Sequence, residues 1–351
     1  MNKKSIIYLV HTEFQLMVAV NLSVSLYDSA EYSNTIYYIV ASRLSEGLDT
    51  SIDINGELIA IPANDHISKF KQLAETTCYR AYFFQENSIY NKFLAYNLKK
   101  KGAIIALGPD GTKPYGVFSK SHETLSMIKD TVKDYMKLRN SGMSLPTLIP
   151  SRYYRYGSSR IIDEVWLYNT ALFNAKKNRT KGILKEIPQI SEQVWQRLRK
   201  LFKYSDDLLP QKEGVLFYIN QPLWTKELVN EEIAFLEGTK KLFPNRPIII
   251  KLHPLTQQTT VDRYLEVDNF PLIRSKIPAE LFLGSLTNSI AFSGWSAGLS
   301  IPNPECNYYY LLKVFQRTKD TVLEQIEFVT FDHIQLIDKP EQLEFKYAIH
   351  E

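Results

Sequence analysis

Cysteine is nearly absent from this chain: Cys78 and Cys306 are the only two, and they form no C-x-x-C. That excludes a disulfide framework and fits a reducing compartment. There is no D-x-D, and the six histidines are scattered, so the usual ligand sets for a metal ion are missing. No window approaches the ~18 uninterrupted apolar residues of a membrane-spanning helix. The opening "MNKKSIIYLVHTEFQLMVAV" imitates a signal peptide, but His11, Thr12, Glu13 and Gln15 break its apolar run. A net charge of +4 from 42 basic and 38 acidic side chains gives no footprint for nucleic acid. It leaves room for a basic face that meets phosphates or an anionic membrane, and the expectation is a cytoplasmic protein, at most peripheral at the inner face of the cell membrane.

What is present is apolar and aromatic, 44% and 13%, enough for a sizeable core. "SIIYLV" (5–10) reads as a strand and "TEFQLMVAVNLSVSLY" (12–27) as a helix. "TIYYIVAS" (35–42), "AYFFQ" (81–85) and "AIIALG" (103–108) are further strands, and 90–100 is a helix. Residues 120–175 read as helical and aromatic, and 185–214 as a polar helix and a linker. The alternation then restarts with strands at 215–220, 247–253, 289–294 and 308–314 and helices at 225–243 and 278–286. Strands alternating with helices predict βαβ units and parallel sheets. The expected organisation is an N-terminal domain, 1–205, and a C-terminal domain, 206–351, with the last 20 residues free to pack back on the first. The fold class is α/β: two Rossmann-like, doubly wound domains facing a cleft, the GT-B plan. Periplasmic binding proteins share that outline, so architecture alone does not decide function.

Ligands of open α/β sheets bind beyond the carboxyl ends of strands, so chemistry is sought there. "ALGPDGTKPYG" (106–116) sets Asp110 in a turn with Gly111 and Thr112, as a turn carboxylate or as a general base. "KLHPL" (251–255) puts His253 before Pro254, as a capping residue or as a donor to a leaving phosphate; Lys251 alternates with it along the strand. "FSGWSAGLS" (292–300) offers Ser293, Gly294, Ser296 and Ala297 as a phosphate cradle. It lacks the Gly-Lys-Ser/Thr ending of a Walker loop. "GWSAG" also matches a nucleophile elbow, for which Glu305, Asp320, Asp332 or Asp338 and His333 or His350 would have to complete a triad. "YINQPLW" (218–224) offers the amides of Asn220 and Gln221.

In this order, Asp110-Gly111, Gln221-Pro222-Leu223, His253-Pro254 and the serines of 293–300 follow the strand–helix "IIYLVHTEFQLMVAVNL". The set resembles the bacterial sialyltransferases of glycosyltransferase family 52 and the related polysialyltransferases over nearly the whole chain. One departure is that the family's acidic pair before glycine is here Pro109-Asp110. The resemblance implies a GT-B enzyme that transfers sialic acid from CMP-sialic acid to a hydroxyl of a surface glycan, lipooligosaccharide or capsule. It implies inversion at the anomeric carbon with no metal and no cofactor. It makes Asp110 the base and His253 the assistant to CMP departure. Gln221, Lys251, Pro254, Ser293, Gly294, Ser296 and Ala297 would line the donor, and His11, Thr12, Gln15, Gly111 and Thr112 a loop between acceptor and donor. CMP-Kdo as donor, a non-catalytic binding module and a homodimer are left open.

Overall fold

The computed structural model describes residues 3–40, 47–62, 64–118, 124–146, 156–175, 180–223, 225–268, 270–318, 326–328 and 331–346. The chain divides into two compact units, Met1–Lys203 and Tyr204–Glu351.

The first unit runs β1 (Lys4–Val10), α1 (Glu13–Leu26), β2 (Tyr32–Val40), β3 (Glu57–Pro62), α2 (His66–Glu75), β4 (Arg80–Phe83), α3 (Ile89–Lys100) and β5 (Ile104–Leu107). It continues with β6 (Gly116–Phe118), α4 (Thr124–Asn140), β7 (Glu164–Leu167), α5 (Thr170–Ala175), β8 (Ile183–Glu186) and α6 (Glu192–Leu201). Seven of these strands form a parallel sheet in the order β3-β2-β1-β4-β5-β7-β8. The second unit runs β9 (Leu216–Ile219), α7 (Lys226–Leu242), β10 (Ile248–Lys251), α8 (Gln258–Asp268), β11 (Leu272–Ile273) and α9 (Ala279–Leu283). Then come β12 (Ser289–Ser293), β13 (Cys306–Tyr310), α10 (Leu312–Phe315), β14 (Ile326–Phe328) and β15 (Ile334–Leu336). Its parallel sheet is ordered β11-β10-β9-β12-β13-β15. Two Rossmann-like parallel α/β units match the GT-B expectation for the fold.

Central strands such as "LFYI" and "IIIK" are buried at every position, because helices cover both faces of a parallel sheet. Hydroxyl side chains start the helices: Thr12, Ser88, Ser191 and Thr225 each accept a first-turn N–H. Several boundaries differ from the sequence reading. The half-exposed edge strand β3 and the strands β7 and β8 were not expected, and β7 interrupts the stretch read as helical. The strand expected at 308–314 stops at Tyr310, and Leu312 begins α10. The strand expected to reach His253 stops at Lys251. The described tail, through Lys346, packs on the second unit: β15 pairs with β13, and Phe345 meets Phe243. Among the described residues no helix is long and apolar enough to cross a membrane.

Each sheet reverses direction once. The chain steps outward from β1 to β3 and returns to lay β4 against the other side of β1; it steps from β9 to β11 and returns with β12 beside β9. The crevices between the loops after β1 and β4, and after β9 and β12, are the switch points where such sheets take ligands.

A buried ion pair ties the first sheet together. Arg80 Nη2 lies 3.0 Å from Glu164 Oε1, and Glu164 also accepts from Trp166 Nε1 at 2.8 Å. Removing the arginine leaves a carboxylate whose side chain is 9% exposed without its counter-charge. Arg80→Ala should therefore destabilise the first unit by about 3–5 kcal/mol, and adding Glu164→Gln should recover part of it, read from urea midpoints.

Candidate functional site

In the first unit, four of the expected residues, His11, Thr12, Gln15 and Asp110, converge beside the switch point. Gln15 is fully buried on the first turn of α1. Its Oε1 accepts the His11 N–H (2.8 Å), its backbone N–H donates to Thr12 Oγ1 (3.2 Å), and its Nε2 donates to Asp110 Oδ1 (2.8 Å). One glutamine thus links the loop after β1 to the turn after β5. Asp110 Oδ2 pairs with Lys113, whose side chain is 62% exposed. Such a pair is weak and exchangeable. Gly111 takes φ 65°, the left-handed region that glycine enters without strain, and the Thr112 carbonyl accepts from Tyr115 N–H (2.9 Å). Tyr156 donates from its hydroxyl to the Gly108 carbonyl beside this turn.

His11 Nε2 lies 3.4 Å from Asn91 Nδ2, which also donates to the Gln85 carbonyl (3.0 Å). An amide N–H at Nε2 makes that nitrogen the acceptor of a neutral ring. Burial pushes the His11 pKa down to about 4, against the upward pull of Asn91 and Asp110, so the ring is uncharged near neutrality. Asn91, which the sequence reading missed, is 3% exposed, and its Oδ1 has no hydrogen-bond partner.

In the second unit, His253 sits two residues past the ladder, in a turn closed by Thr256 N–H to His253 O (2.9 Å). Pro254 occupies the second place of that turn, which its fixed φ favours; it is exposed and serves as scaffold. Leu255 N–H donates to His253 Nδ1 (3.1 Å), so in the neutral ring the proton sits on Nε2. Lys251, expected to share a face with His253, is 5% exposed, and its ammonium donates to the Ser275 carbonyl (2.5 Å). As the last strand residue it braces the loop after β11.

The serine motif divides in the same way. Ser293, the last residue of β12, is fully buried; its hydroxyl donates to Ile219 O (2.7 Å) and accepts Ser296 N–H (3.3 Å). It staples β12 to β9. Ser296 is half-buried and caps the single 3₁₀ turn Ala297–Ser300, its Oγ accepting Gly298 N–H (3.1 Å). A four-residue turn sums little macrodipole, so any anion here meets individual groups, the Ser296 hydroxyl and the half-buried Ala297 backbone. Gly294 sits at a close approach: a Cβ would come within 3.0 Å of the Phe315 ring and 3.6 Å of Gln221 Cγ. Gln221 therefore borders the β12 loop across the switch point.

Of the two histidines considered for the hydrolase alternative, the described one is engaged elsewhere. His333 Nε2 lies 2.8 Å from the Leu299 carbonyl, where its N–H donates, and Ser296 Oγ is engaged with Gly298. Asp320 and His350 lie outside the described residues. Among the described residues no three of His, Cys, Asp and Glu converge where a metal ion could be held. A depression of about 620 Å³ between the starts of α7 and α8 includes Thr225, Lys226, Gln257 and Arg263 but none of the residues expected at the site.

Beneath the His253 turn lies a polar cluster. Asn220 and Glu232 are fully buried. Tyr218 and Tyr264 donate to the two Glu232 oxygens, the latter at 2.6 Å. Glu232 occupies a core position of α7, between Leu228 and Leu236 at helical spacing, and an acid there is the signal that could have revealed the cluster.

No protein-family profile and no curated protein sequence matches the chain. Solved structures match its fold. The 2,6-sialyltransferase of Photobacterium sp. JT-ISH-224, in a ternary complex with CMP and lactose, superposes with TM-score 0.58 at 11% identity, over 96% of this chain and 78% of that one. The GT-B domain of the Photobacterium damselae sialyltransferase gives 0.52 at 13% identity, over 87% and 90%. A Listeria monocytogenes protein assigned as a UDP-N-acetylglucosamine 2-epimerase gives 0.50 at 9% identity, over 89% and 80%. Likeness at these identities defines the GT-B fold; the resemblance to family 52 rests on the sequence motifs alone.

Burial pushes the Glu232 carboxyl up to about 7, although three donors favour its charged form. The folded state therefore holds a proton that the unfolded chain releases above about pH 4.5. This stabilisation is present at low pH and is lost as pH rises to about 7, by an amount of order 3 kcal/mol. The stability difference between wild type and Glu232→Gln, from denaturant titrations at several pH values, should move in favour of Glu232→Gln across that window. His11, with its lowered pKa, acts in the opposite sense and is common to both proteins.

Proposed function

We propose that the protein is an inverting, metal-independent glycosyltransferase that moves sialic acid from CMP-sialic acid to a hydroxyl of a surface glycan. The observation that carries this reading is the pair of groups at the strand ends. Asp110 is seated by an uncharged amide and an exchangeable lysine, and the His253 ring presents its proton on Nε2. The acceptor oxygen attacks the anomeric carbon and passes its proton to Asp110. The bond from that carbon to the CMP phosphate oxygen breaks, and the electron pair leaves with CMP. His253 Nε2–H and the Ser296 hydroxyl stabilise the charge that builds on the phosphate, which is the role a metal would otherwise fill. Gln221 and Ala297 border the donor, and Gln15 and His11 hold the Asp110 turn from behind. The fold likeness to a sialyltransferase crystallised with CMP and lactose supports the reading.

CMP should raise the thermal midpoint more than UMP, UDP or NAD, because only a ligand of the folded state stabilises it. Asp110→Asn keeps the Gln15 contact but cannot take a proton, so transfer should fall ~10²–10⁴-fold with CMP binding unchanged. A preference for UDP would overturn the choice of donor, and near-normal transfer by Asp110→Asn would return that residue to a turn role.

Cytoplasmic placement, with peripheral contact at the membrane, belongs to the same proposal. On α4, Ile128, Val132 and Met136 are 50–61% exposed at four-residue spacing, beside Lys129, Lys133 and Lys137. An apolar stripe flanked by lysines fits an anionic lipid surface. Binding to vesicles containing phosphatidylglycerol should weaken with salt, and Ile128→Ser with Met136→Ser should weaken it further; salt-insensitive binding would contradict the proposal.

A further inference from the structure

Asn220 is the first residue beyond β9, where the sequence suggests an amide offered to a ligand. The structure buries it completely and uses every one of its polar atoms within the protein. Its Nδ2 donates to Glu232 Oε1 (3.1 Å), to the Tyr264 hydroxyl (2.7 Å) and to the Gln221 carbonyl (3.0 Å). Its Oδ1 accepts the His253 backbone N–H (3.4 Å) and the Thr256 hydroxyl. Those two donors stand at the first and last residues of the turn that carries His253.

The two ends of an asparagine amide are nearly isosteric but opposite in hydrogen bonding, so the surroundings decide which way it points. With Glu232 ionised, reversing this amide would set its oxygen against the carboxylate and its NH₂ against the His253 N–H. Both contacts would repel. The acid in the core thus makes the amide oxygen face the turn. The turn in turn fixes the ring, because Leu255 N–H reaches Nδ1 only while residues 253–256 hold their geometry.

We propose that Asn220 is the positioning residue of the His253 turn, and that Glu232 sets the orientation of the Asn220 amide. The chain of contacts runs from α7 through the end of β9 to the imidazole, and it selects which nitrogen carries the ring proton. The inference rests on the proposed function only where His253 acts on a leaving phosphate; the positioning itself is independent of any substrate.

The test therefore has two readouts. The first is ¹⁵N NMR of the full-length protein labelled in histidine, with His253→Ala assigning the signals. Wild type should show His253 as one neutral tautomer with the proton on Nε2. Asn220→Ala and Thr256→Val, the latter removing only the hydroxyl that Asn220 holds, should both shift the ring towards averaged tautomers. Glu232→Gln should do so in the same direction. Thr256→Val serves if Asn220→Ala fails to fold. Unchanged His253 signals in a folded Asn220→Ala or Thr256→Val protein overturn the proposal. The second readout is hydrolysis of CMP-sialic acid without acceptor. A misplaced ring should lower kcat by up to ~10²-fold with a smaller change in KM. Altered NMR signals in a protein whose wild type leaves CMP-sialic acid intact would sink the donor assignment and sustain the positioning role. Altered signals with kcat unchanged would remove His253 from catalysis.

Discussion

A parallel sheet with helices on both faces has no wet side, and this constraint governs where the protein can do chemistry. Polar groups on the strands are absorbed by the backbone around them. Ser289 bonds Val215 N–H and nearby carbonyls, Ser293 bonds Ile219 O, and Lys251 bonds Ser275 O. Each is at most 5% exposed. One to three residues further along the chain the ladder has ended, and the same kinds of side chain meet solvent or loops. The contrasts between Ser293 and Ser296, and between Lys251 and His253, are contrasts of position relative to the last strand residue.

That constraint also explains what could be read from the sequence. Runs of β-branched and aromatic residues buried on two sides carry a signal strong enough to locate β1, β9, β10 and β12 and, with the helices between them, the fold. The carboxyl ends of such runs, that of β5 included, pointed to His11, Asp110, His253 and Ser296. Short strands on a partly wet edge, such as β8 with its exposed Ile183 and Glu186, lack the apolar run and were missed. Ser293 and Lys251 end β12 and β10 with their polar atoms bonded to nearby carbonyls, and which of the last strand residues turns inward as a brace is a detail that pattern reading does not resolve. The Glu232 cluster was out of reach as a set: its members come from β9, α7 and α8, and only tertiary packing brings them together.

Two histidines at strand ends each have one ring nitrogen engaged, by unrelated means. His11 is desolvated and has its Nε2 facing an amide donor; His253 has its Nδ1 occupied by a backbone N–H one turn away. A proton on the occupied nitrogen would break the contact in either case. The consequence differs. His11 has its Nε2 turned to Asn91, whereas the imidazole of His253 keeps its proton on the nitrogen opposite the turn, where it can serve a developing anion without a prior change of charge.

The carboxylates show why only one of them suits a base. Glu86 is half-buried, partial desolvation raises its pKa, and its two oxygens take the N–H groups of Gly157 and Ser159. Glu232 is enclosed by two tyrosines and Asn220. Neither can change partner without disturbing the core that surrounds it. Asp110 has one oxygen fixed by Gln15 and the other facing an ammonium in solvent. A base must be oriented, yet it must also exchange a contact for the proton it receives. Among these three acids, Asp110 alone meets both conditions, since Gln15 supplies the orientation and a weakly held surface lysine is the contact open to exchange.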